Sequence, residues 1–61
     1  MTDQECQRLR DAGEGLFLAG RLMTGLSEPG LPPEHRAIVL AKIATLIEDG
    51  RAECERAGQY S

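Results

Sequence analysis

The sequence predicts an all-α fold, an antiparallel two-helix hairpin that associates into a four-helix bundle or larger oligomer. Three observations lead there. Apolar residues recur at spacings of three and four through two long segments, the pattern of one-sided helices. A single stretch rich in proline and glycine separates the two segments. The chain has only 61 residues, so it forms at most one small domain, with too little interior to stand alone.

The first helix is expected over about residues 3–26. Thr2 followed by Glu5 has the spacing of a capping box, in which the hydroxyl accepts from one free amide and the carboxylate from another. From there Cys6, Leu9, Gly13, Leu16, Gly20 and Met23 alternate steps of three and four and read as the seam against the second helix. The competing expectation is a break at Gly13-Glu14-Gly15 that leaves a short N-terminal turn ahead of a main helix.

Residues 27–32 read as a tight connector, since Ser27, Pro29, Gly30 and Pro32 favour turns and the prolines remove backbone donors. Pro33 suits the first turn of a second helix, expected over about 33–57, where its missing amide would have lacked a partner in any case. Glu34 complements the positive end of the helix dipole there. The seam of this helix reads Leu40, Ile43, Ile47, Gly50, Cys54 and Ala57, with Gly58 as the C-terminal cap and Asp49-Gly50 as a possible break. Arg51 with Glu55, and Glu53 with Arg56, have the spacing of surface ion pairs.

Set against each other, the two seams pair small with large. Gly13 is expected to face Ile47, Gly20 to face Leu40, Leu9 to lie level with Gly50, Leu16 with Ile43, and Cys6 with Cys54. Close helix approach would then offset the roughly 1 kcal/mol that a glycine costs relative to alanine inside a helix.

A hairpin of this length buries too little apolar surface to offset roughly 1.5 kcal/mol of ordering entropy per residue, so a homo-oligomer, foremost a dimer, is expected. Its interface is expected on the outer side of the first helix, where Gly15, Leu18, Leu22 and Gly25 make a second stripe, while Phe17 flanks the inner seam on one side and Ala12, Ala19 and Leu26 on the other. Phe17 and Ile38 are the expected contacts for a separate, unidentified protein target.

Charge and composition narrow the function classes. Seven basic residues against 10 acidic ones give a net charge of -3, the wrong sign for a sequence-independent grip on nucleic acid. The longest apolar run, Leu16-Phe17-Leu18-Ala19, is far below the roughly 20 residues of a membrane span. The first residues lack a basic segment followed by an apolar run, so a cytoplasmic protein is expected. Two separate cysteines and one histidine support neither a zinc site nor a Cys/His catalytic pair, since the hairpin puts His35 at the loop end and Cys6 and Cys54 at the other. No metal, no cofactor and no enzymatic activity are expected.

The sequence reading is therefore a small regulator or inhibitor that binds protein through an apolar helical surface. Short acidic chains without a catalytic motif are common among the accessory proteins of phages and mobile elements, and such an origin fits. The alternative is an oligomer that sequesters a small anionic ligand, such as a nucleotide, through His35 and Arg36 brought together from several subunits at the start of the second helix.

Overall fold

A computed structural model describes residues 1–60. Two helices, α1 (Asp3–Gly25) and α2 (Pro33–Ala57), fold back on each other as a hairpin measuring 48 × 14 × 13 Å. Among the described residues there is no strand.

The capping box forms at the start of α1. The Glu5 amide donates to Thr2 Oγ1 at 3.1 Å, and the Thr2 amide donates to Glu5 Oε1 at 2.7 Å, so two otherwise free donors are satisfied. The helix then runs unbroken through Gly13 and Gly15. At its end the Leu26 amide donates to the Leu22 and Met23 carbonyls, and the Ser27 hydroxyl donates to the Thr24 carbonyl at 2.6 Å. The connector turns at Pro29-Gly30, where Gly30 takes a φ of +87° that a side chain would resist.

In α2, Pro33 occupies the first turn and the Arg36 amide donates to the Pro32 carbonyl at 3.0 Å. The helix continues through Gly50, and Gly58 caps it in a right-handed conformation. The left-handed freedom expected of a terminal glycine is therefore unused at Gly58.

The hairpin's own seam keeps part of the expected one: on α2 the covered positions are Ile43, Gly50 and Ala57, as expected, with Val39, Leu46 and Glu53. On α1 the regular covered series is Arg8, Ala12, Gly15, Ala19 and Leu22, continued at the C-cap Leu26, with Cys6 and Leu9 of the expected seam half-buried beside it. Each set alternates steps of four and three. The expected α1 seam is thus rotated by one residue, about 100° around the helix. Gly13 and Gly20 meet nothing within 4 Å at the place of a Cβ, so neither lets α2 approach.

Small still meets large, but through other pairs. Gly50 lies under the isopropyl head of Leu16 rather than beside Leu9, and a Cβ at Gly15 would sit 3.7 Å from Leu46 Cδ2. Toward the termini, Arg8 Nη2 donates to Glu53 Oε1 at 3.1 Å and ties the helices together. Ala19 and Ile43, 2% and 4% exposed, are the only buried apolar side chains among the described residues.

Candidate functional site

The stripe displaced from the seam is the most distinctive surface of the molecule. Leu9, Gly13, Leu16, Gly20 and Met23 each follow a seam residue of α1 by one position, and Leu40, Ala44, Ile47, Arg51 and Cys54 do the same on α2. Antiparallel helices turn in opposite senses when viewed from one end, so equal offsets bring both stripes to the same side of the hairpin. Leu16 lying across Gly50 joins them.

This broad face carries large apolar groups at its surface. Leu16 is 38% exposed, Ile47 43%, Leu40 51% and Met23 55%. Between the cysteine end and the Met23–Leu40 end, the one charged position of either stripe is Arg51, which follows Gly50 and pairs with Glu48 and Glu55. Cys6 is half-buried, Cys54 is exposed, and both are free thiols at that end.

The opposite face is polar. Its cleft, of about 480 Å³, is lined by Arg8, Asp11, Asp49, Glu53 and Arg56 among others. Glu53 Oε1 accepts from Arg8 and lies 3.6 Å from Arg56 Nη1. The cleft thus holds two arginines against three carboxylates, with Glu53 half-buried between the arginines. Elsewhere on α2, Arg51 pairs with Glu55 at 2.7 Å and with Glu48 at 3.4 Å, exposed pairs each worth under about 1 kcal/mol.

The expected interface residues scatter around the hairpin. Gly15 and Leu22 belong to the hairpin's own seam: Gly15 faces Leu46, and Leu22 is half-buried beside Leu31 and Val39 at the loop end. A stripe made of Gly15, Leu18, Leu22 and Gly25 therefore does not face outward as one surface. Leu18, 45% exposed, and Gly25 remain outside on the polar side, and Ile38, 70% exposed, projects from that side of α2. Phe17, 68% exposed, points away from α2 with the Arg21 guanidinium 5.8 Å from its ring centroid.

His35 and Arg36 are both exposed in the first turn of α2. His35 lines a shallow cleft of about 160 Å³ with Arg21, Leu22 and Val39, whereas Arg36 projects about 100° further round the helix. Within one chain the two side chains do not converge. Among the described residues, no three histidine, cysteine or acidic side chains cluster as metal ligands, and no helix is long and apolar enough to cross a membrane.

Sequence reasoning missed the Arg8–Glu53 bridge, because the expected register set Arg8 outside the seam. The signal was present in the spacing, since Arg8, Ala12, Gly15 and Ala19 repeat as regularly as the apolar stripe beside them. No protein-family model, curated protein or solved structure matches the chain.

Proposed function

We propose that this chain is a small regulatory or inhibitory protein that acts by binding protein through the apolar face of the hairpin. The observation that carries this reading is the exposed apolar face, on which Arg51 is the one charged position. Leu16, Met23, Leu40 and Ile47 stay between 38% and 55% exposed on one side of a molecule whose buried apolar side chains, among the described residues, are Ala19 and Ile43. An apolar surface of this extent on so small a chain marks an association site. Its rim is polar and its width is that of two adjacent helices, which suits the apolar side of another helical surface. Ile38 and Leu18, on the far side, offer the same chain a second and smaller contact for a different protein.

Photo-crosslinking in cells that make the chain tests this. A photoreactive residue at position 47 should give protein adducts that one at the exposed, outward-facing position 45 does not, and those formed at a Leu40→Glu variant should fall sharply. Equal labelling from both positions, or no protein adduct from position 47, would sink the reading.

A further inference from the structure

We infer that the occupant of the apolar face is a second copy of this chain, laid face to face so that α2 of one hairpin crosses α1 of the other. The inference rests on the protein-binding reading above and names the protein bound.

Surface area supplies the first argument. A folded monomer of 6.6 kDa exposes about 3,900 Å² by the usual scaling of area with mass. This chain exposes 4641 Å², roughly 750 Å² more, and each partner in a standard protein–protein interface gives up about 800 Å². Part of that surplus belongs to the elongated 48 × 14 × 13 Å shape, and its size is of the order that one partner gives up. Covering the face would also supply the interior that Ala19 and Ile43 alone do not provide, converting two layers of one helix pair into a four-helix core.

The sequence of the face supplies the second argument. Gly13 and Gly20 sit in helix interiors at a cost of about 1 kcal/mol each relative to alanine. Nothing in the single hairpin requires them, since a Cβ at either would meet nothing within 4 Å. They are hollows on the surface, one on each side of Leu16. Ile47 and Leu40 are ridges on the other helix of the same face, one heptad apart, as are Gly13 and Gly20. A second hairpin seated with its α2 over α1 brings its Ile47 above Gly13 and its Leu40 above Gly20. The symmetry that relates the copies makes the same two contacts again, so one surface supplies both halves of the fit. The small-to-large pairing legible in the sequence is thereby met between chains, where the single hairpin does not use it.

Sedimentation equilibrium over a range of concentrations tests the proposal, with helicity followed by circular dichroism. The wild-type chain should reach twice the 6.6 kDa chain mass. Gly20→Leu fills a hollow that the single hairpin leaves open, so it should keep its helicity and shift at least tenfold toward monomer. Gly25→Leu fills an equally open position off the face and should leave the dimer intact. A wild-type monomer at all concentrations overturns the proposal, as does a dimer equally insensitive, or equally sensitive, to both substitutions. A monomer that still crosslinks through position 47 to a different protein overturns the second copy while keeping the binding reading. A monomer without such adducts removes both.

Discussion

Gly50 is the point of tightest helix approach. A Cβ there would lie 2.6 Å from Leu16 Cγ and Cδ2 and 2.9 Å from Cδ1, so the whole isopropyl head would have to move. The helix-propensity gain of alanine over glycine, about 1 kcal/mol, is outweighed by an overpacking cost of about 1–3 kcal/mol. Gly50→Ala should therefore lower the stability measured by urea unfolding by about 1 kcal/mol. In a Leu16→Ala background the obstructing head is gone, and the same substitution should become neutral or stabilising. A purely additive double mutant would show that Leu16 and Gly50 do not meet. Gly15 is the milder counterpart, with ordinary contact distance to Leu46, which marks Gly50 as the glycine the hairpin itself needs.

At the level of elements, the helix ends were the most legible part of the sequence. They depend on local chemistry: the Thr2–Glu5 box, Pro33 in a first turn, and a connector dense in proline. The Arg51–Glu55 pair was equally local and forms as its spacing implied. What local spacing leaves open is which of two adjacent stripes faces the partner helix. Leu9, Gly13, Leu16, Gly20 repeats with the same period as Arg8, Ala12, Gly15, Ala19, and apolarity alone favours the first. The hairpin takes the second, with Gly15 against Leu46 and Arg8 paired with Glu53 across the seam. The stripe with more apolar surface remains available outside. The connector gives an element-scale prediction. Gly30 holds a φ of +87°, and an L side chain in that region costs roughly 1–2 kcal/mol. Gly30→Ala should lower the thermal midpoint without changing helicity below the transition, and an unchanged midpoint would show that the connector adopts another turn at no cost.

For the whole molecule, two surfaces with opposite characters follow from where charge falls around the helices. Arg8, Asp11, Asp49, Glu53 and Arg56 collect around one cleft, while the opposite face from the cysteines to Met23 and Leu40 carries Arg51 alone. Such segregation leaves the hairpin with one charged side and one mostly apolar side. The candidate site was half legible: its residues were recognised as a stripe with paired small and large positions, but assigned to the inside of one chain. The fold turns that stripe outward, and the proposed site accordingly comprises Leu16, Met23, Leu40 and Ile47 rather than Leu18 and Leu22.

The most direct measurement of that claim is a dilution series followed by methyl NMR. As concentration falls, methyl signals of Leu16, Met23, Leu40 and Ile47 should shift together along one association curve, while those of Leu18 and Ile38 stay fixed. Shifts concentrated at Leu18 and Ile38 would place association on the other side of the hairpin. Signals that stay constant across the series, with the mass of a single chain, would contradict self-association through this face.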